Sequence, residues 1–314
     1  MKCLVTGAAG FIGSHLSEKL LDCGHEVVGA DCFVPYYPRP IKEANLAKAR
    51  QHEAYTFYPV DLRKDPLDDA IDGVDVVFHL GAMPGLARSW IDFELYESCN
   101  VGATQRLLEA VRRRGNLGRF VYVSTSSVYG RFGSGDEMLP TRPISPYGAT
   151  KLAAEHLCRA YCEEQGVPVV VLRYFSVYGP RQRPDMGYAR FIQAMLAGQP
   201  VSVFGDGMQV RGNTYIDDCV DATIAAAEAP VGEIYNVGGG ETANVWDILG
   251  RLERAIGCKA MVRREQARAG DQRYTLADTS KITKHLGWSP SVELDEGLAR
   301  QVASQRGLAQ RAAA

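Results

Sequence analysis

Tyr147 and Lys151, in the segment SPYGATK, are four residues apart. On a helix, positions i and i+4 share a face. A phenol has an ordinary pKa of about 10 and is a weak base at neutral pH. An ammonium one turn away favours the phenolate. The spacing alone is common. It gains weight from the hydroxyl run Ser124-Thr125-Ser126-Ser127, which closes the strand-like segment Phe120–Ser124. A second constellation is Gly7-Ala-Ala-Gly10-Phe11-Ile12-Gly13, between an apolar run and a helical pattern. Glycines there allow a tight turn and close approach to a pyrophosphate, and the helix start presents free N–H groups to its charge. Asp31 ends the next strand. A carboxylate there accepts bonds from both adenosine ribose hydroxyls and repels a 2′-phosphate, so the pattern favours NAD over NADP. Asp61-Leu62 is placed for the adenine edge, and Gly81-Ala82 for backbone passing the cofactor. His79 just before them reads as a satisfied core histidine.

The elements that must position these groups alternate. Strand patterns fall at Lys2–Thr6, Glu26–Asp31, Tyr55–Asp61, Val74–Leu80, Phe120–Ser124 and Val167–Phe175. Helical periods fall at Phe11–Cys23, Glu97–Arg114 and Tyr147–Gln165. Near-continuous Val/Ile/Leu runs indicate strands buried on both faces. The order implies an α/β fold, a Rossmann-type doubly wound parallel sheet whose ligands lie at the C-terminal strand ends. After Tyr178 the texture changes to loops rich in Gly, Pro and Arg. Strands at Pro200–Phe204 and Glu233–Val237 and helices near Asp217–Glu228 and Val245–Ile256 suggest a smaller, interleaved lobe. The reading is therefore 1–178 for the dinucleotide, 179–303 mainly for substrate, and 304–314 as a flexible tail.

A net charge of −2 over 314 residues gives nucleic-acid binding no support. An anionic ligand must then be held by local cations. No apolar run approaches a membrane span, and the N-terminus lacks a secretory layout. Eight scattered cysteines form no CxxC pair, so no metal site is expected, and a reducing cytoplasm is. Cys158 and Cys162, one turn apart, read as small core residues.

TGAAGFIGSHL, Asp31, HLGAMPG, STSSVYG, SPYGATK and RYFSVYGPRQRPDM together resemble the extended short-chain dehydrogenases that modify nucleotide sugars. The similarity runs from the first strand to about Leu298. Within that superfamily STSSVYG and VYGPRQRPDM are most similar to the UDP-glucuronate 4-epimerases. The resemblance implies a Thr125–Tyr147–Lys151 triad, NAD that is tightly held and recycled, and a transient 4-keto sugar. It implies cofactor contacts from Leu80, Asn100, Ser124 and Tyr174. Ser126, Ser127, Ser176 and Arg183 would face the sugar, and Arg211, Arg268 and Asp271 the nucleotide. The family usually has Gly-Val-Arg after the proline of the fourth-strand loop. Here Gly85-Leu86-Ala87-Arg88 moves the arginine by one position, so Arg88 is a displaced sugar-contact candidate. Likewise Arg211-Gly212-Asn213 stands where many relatives have Arg-Asp-(Tyr or Phe). A homodimer through the Glu97–Arg114 and Tyr147–Gln165 helices is also implied. UDP-xylose-forming decarboxylases carry Glu at the Ser127 position, dTDP-glucose 4,6-dehydratases carry Asp-Glu at Ser126-Ser127, and galactose epimerases carry Asn at Ser176. These alternatives, and a non-catalytic dinucleotide sensor with no need of the Tyr–Lys pair, stand behind the epimerase.

Overall fold

The computed structural model describes residues 1–267 and 270–313. Seven strands form one parallel sheet: β1 (Lys2–Thr6), β2 (Glu26–Ala30), β3 (Tyr55–Tyr58), β4 (Val76–His79), β5 (Arg119–Thr125), β6 (Val169–Tyr174) and β7 (Ile234–Val237). Their spatial order is β7-β6-β5-β4-β1-β2-β3. The order reverses between β1 and β4, which opens a crevice at their C-terminal ends. Every residue of β4 and β6 is buried, which is why those segments read as unbroken apolar runs. One core face gathers Val5, Leu16, Phe78 and Leu172; the other gathers Val28, Leu107, Phe120 and Val171. Cys158 lies in the second of these, and Cys162 packs against it.

Three helices set the chemistry. α1 (Phe11–Asp22) follows β1, α2 (Ala103–Arg114) precedes β5, and α3 (Pro146–Gln165) precedes β6. Ser145 caps α3, its hydroxyl accepting from Gly148 N, and Pro146 supplies a preset φ at the first position. The expected single helix Glu97–Arg114 is not uniform. Phe93–Glu97 is α-helical, Ser98–Gly102 forms a π-turn, and α2 continues from it. The wider turn lets the Asn100 side chain reach Met83 N at 2.7 Å, Met83 O at 3.1 Å and Thr150 Oγ1 at 3.0 Å.

The two regions of the chain exchange strands. β7 comes from beyond Tyr178 yet completes the large sheet, whereas Phe132–Gly135 leaves it to pair with Tyr274–Ala277. Val210–Tyr215, Ser176–Tyr178 and Thr242–Ala243 complete that smaller sheet. Val201–Phe204 pairs with Val262–Glu265. The last helix runs Leu294–Ala313, through most of the segment expected as a tail. Leu294, Leu298 and Val302 bury one of its faces, and that packing continues the helix past the point where the apolar period fades. Among the described residues, no helix is long and apolar enough to cross a membrane.

Candidate active site

One cleft of about 1360 Å³ runs along the C-terminal strand ends and into the second lobe. At its floor Gly7 holds φ +69°, and a Cβ there would stand 3.0 Å from Gly81 N. A Cβ on Gly13 would overlap the Gly7 carbonyl oxygen. α1 is capped by Gly10, which offers no side chain, so the first-turn N–H groups at Phe11, Ile12 and Gly13 are left for a ligand. Asp31 lies beside this turn, its carboxylate accepting from Ala9 N at 3.2 Å and Phe33 N at 2.7 Å. Burial pushes the Asp31 carboxyl up, while Lys42 and the two N–H bonds oppose the shift. Asp61, Leu62, Leu80, Gly81 and Ala82 line the same stretch. The Asp61 carboxylate is held by Arg63 at 2.9 and 2.7 Å, which lowers its pKa. A glycine cradle, a helix start with no side-chain cap and a carboxylate beside the turn together fit NAD.

The catalytic candidates meet where this floor turns toward the second lobe. β5 ends in Thr125, whose hydroxyl accepts from Ser127 N at 3.2 Å and so folds Ser126–Tyr129 into a tight turn. Ser124, Thr125, Ser126 and Ser127 all line the cleft, as do Tyr147 and Lys151 from the first turns of α3. Burial raises the Tyr147 phenol; a hydrogen bond with Thr125 and the Arg183 charge lower it. Both groups favour the phenolate. Lys151 is buried, and burial pulls its ammonium down to about 8. Its Nζ lies 4.3 Å from the Tyr122 ring centroid.

The far wall carries the substrate candidates Ser176, Arg183, Arg211 and Asp271. Arg183 donates to both Asp185 oxygens at 3.0 Å, and Arg211 donates to Asp271 at 2.8 Å. Arg88 lines the cleft despite its displaced position; it donates to Asp92 at 3.0 Å and stacks on Tyr36. Tyr174 lines the cleft, but its hydroxyl is engaged with Thr223 at 2.5 Å. The buried Asn100 side chain ties the Met83 loop to α3, next to the cleft residues Cys99 and Ala103. Arg268 lies outside the described residues. His79 is buried, bonded to Thr6 at 2.8 Å and Thr104 at 3.0 Å. Those partners and its neutral ring suit a core role.

Residues 3–238 match the model of the NAD dependent epimerase/dehydratase family. The chain belongs to this family. It is similar to the crystal structure of a UDP-glucuronic acid 4-epimerase from Bacillus cereus, in complex with UDP-glucuronic acid and NAD. That likeness has 44% identity and a TM-score of 0.95, covering 98% of this chain and 100% of the other. A UDP-glucuronate 4-epimerase of Thermodesulfobacterium geofontis is 38% identical over 95% of this chain and 94% of its own. A dTDP-glucose 4,6-dehydratase of Streptomyces griseus is also 38% identical, over 96% and 92%.

Several cleft residues of this family member escaped sequence reasoning. Tyr36, Lys42, Arg63, Asp185 and Gln272 all face it. Gln272 donates to Ser126 O at 3.2 Å and Gly130 O at 2.7 Å, bracing the hydroxyl run from a segment 146 residues away. Lys42 belongs to a short helix, Arg39–Leu46, whose few apolar positions give little periodicity. Only the paired charges in QRPD hinted at Asp185.

Proposed function

We propose that this chain is an NAD-retaining UDP-glucuronate 4-epimerase that forms UDP-galacturonate. The observation that carries this reading is one cleft that brings the Tyr147 phenol together with Thr125, Lys151 and Arg183, beside a hydroxyl run that contains no carboxylate. When bound, NAD supplies the acceptor and donor of hydride at C4. Tyr147 takes the proton of the C4 hydroxyl and returns it after the 4-keto sugar has turned over. Thr125 shares that proton's hydrogen bond. Lys151 presents an ammonium to the cofactor ribose, where a charge-assisted bond is the stronger kind. Arg183, Ser126, Ser127 and Ser176 receive the anionic sugar, and Arg211, Arg268 and Asp271 the nucleotide end. On this reading residues 1–178 hold the cofactor and 179–303 mainly the sugar nucleotide. The dehydratase relative is set aside because Ser126 and Ser127 stand where dehydratases, by the resemblance above, carry Asp-Glu.

Two finer points accompany the reading. The first is a homodimer through α2 and α3, as the family resemblance implies; sedimentation at twice the chain mass is the expected result. The second is a cytoplasmic setting, consistent with eight free cysteines.

The test is to incubate the purified protein with UDP-glucuronate and identify products by NMR. UDP-galacturonate should accumulate to an equilibrium ratio without net NAD consumption. NADH formed in proportion to product, or pentose as the main product, sinks the reading.

A further inference from the structure

Behind the hydroxyl run lies a charged pair that the chemistry above does not use. Glu155 and Arg173 are both about 5% exposed in their side chains. Arg173 donates to Glu155 through Nη2 at 2.8 Å and through Nε at 3.2 Å to each oxygen. Its Nη1 donates to the Tyr129 hydroxyl at 2.9 Å, and Tyr129 in turn donates to Asn236 at 2.7 Å. The Glu155 carboxylate also accepts from Ser124 Oγ, which lines the cleft. On α3 Glu155 stands four residues after Lys151, so the two share a face. Burying an ion pair this deeply is costly, and stability alone is weak grounds for keeping one.

We propose that Glu155 is a positioning residue for the reaction: its carboxylate fixes Ser124 at the cleft and holds Lys151 as an ammonium. The groups facing Lys151 single Glu155 out. From its own helix come Tyr147, Glu155 and Cys158; from β5 comes the Tyr122 ring; from β4 comes His79. Burial pushes the Tyr122 and Cys158 groups far above neutral pH and His79 far below it, so all three are uncharged there. Burial likewise keeps Tyr147 a neutral phenol until it acts. Glu155 is then the carboxylate among these neighbours, one turn from Lys151 on α3 and paired with Arg173. Arg173 holds the same carboxylate through Nη2 and Nε.

The inference rests on the proposed reaction, and the experiment separates the two. The pH profile of kcat/KM is measured on the wild type with UDP-glucuronate, then on Glu155→Gln. An opposite charge at this range commonly moves a pKa by about one unit or more. The alkaline limb of Glu155→Gln should therefore sit about one pH unit lower, so its rate at pH 9 falls about tenfold beyond any loss at pH 6.5. Glu155→Asp keeps the charge and should restore the limb even if kcat stays low. Glu155→Gln leaves Arg173 unpaired; if it does not fold, Arg173→Gln removes the counter-charge instead and should move the alkaline limb up, an unmoved limb there overturning the role. A wild type with no epimerase activity refutes the proposed reaction. An active wild type whose alkaline limb is unmoved in the folded variant overturns the positioning role alone.

Discussion

The phenol of Tyr147 is the atom on which the chemistry turns, and its setting is quantitative. General acid–base groups commonly contribute about 10²–10⁴-fold. Tyr147→Phe should lower kcat by that order while NAD stays bound, measured by NMR turnover and by cofactor retained on gel filtration. Near-normal turnover means another group is the base. Ser127 faces a different demand. Oxidation at C4 makes the glucuronate a β-keto acid, which loses CO₂ readily once the breaking C5–carboxylate bond lies parallel to the C4 carbonyl π system and the carboxylate gives up its charge. A hydroxyl donor resists both changes. Hydrogen bonds to charged groups contribute about 1.5–3 kcal/mol, enough to alter the ratio of two competing steps roughly tenfold. Ser127→Ala should slow epimerisation and raise pentose formed per epimer, read as CO₂ or UDP-4-keto-pentose. An unchanged ratio with substrate still binding removes Ser127 from that role.

Whole elements respond to changes where they touch. α1 packs on the glycine turn so closely that a Gly13→Ala methyl meets the Gly7 carbonyl, a backbone atom that cannot rotate aside. Overpacking of this kind costs about 1–3 kcal/mol. The dissociation constant for NAD should rise by roughly tenfold, checked by calorimetry; unaltered affinity means the turn does not shape the cofactor site. His79 ties β1, β4 and α2 together through Thr6 and Thr104. Burial and the Lys151 charge lower it to about 3. An unfolded histidine titrates near 6.5, so between these values the unfolded chain binds the extra proton. The His79 contribution is complete above about pH 6.5 and is lost as pH falls toward 3, at about 1.4 kcal/mol per pH unit. From pH 7 to pH 5 urea unfolding should reveal about 2 kcal/mol of loss that His79→Gln does not share. Parallel pH slopes in the two proteins contradict this account.

At the scale of the molecule the cleft lies between two regions that share strands, so a ligand filling it stabilises both. A ligand at a hundred times its dissociation constant adds about 2.7 kcal/mol. For a chain of this size that is a rise in Tm of about 4 °C. NAD should produce it and NADP should not, because the Asp31 carboxylate lines the cleft beside the glycine turn, where it would repel a 2′-phosphate. Equal shifts from both cofactors, read by calorimetry, would remove Asp31 as the discriminator.

Local chemistry was legible from the chain itself. Gly7, Gly10 and Gly13 announce a tight turn because their spacing has one common backbone use, and Tyr147 and Lys151 announce a shared face because helix periodicity is rigid. The β1–β6 order follows from alternation, with the paired strand ends shorter than read because ladder pairing stops where the chain turns. What the sequence could not decide was which distant groups meet. Arg183 reaches the Tyr147 field from beyond β6, Gln272 braces Ser126 from the second lobe, and Asn100 turns inward on a π-turn that periodicity reads as plain helix. Burial lowers the Lys151 ammonium, and burial is a property of the packed whole. Neighbours along a helix are fixed by geometry that every chain shares; neighbours across a cleft exist only once the sheets have exchanged strands.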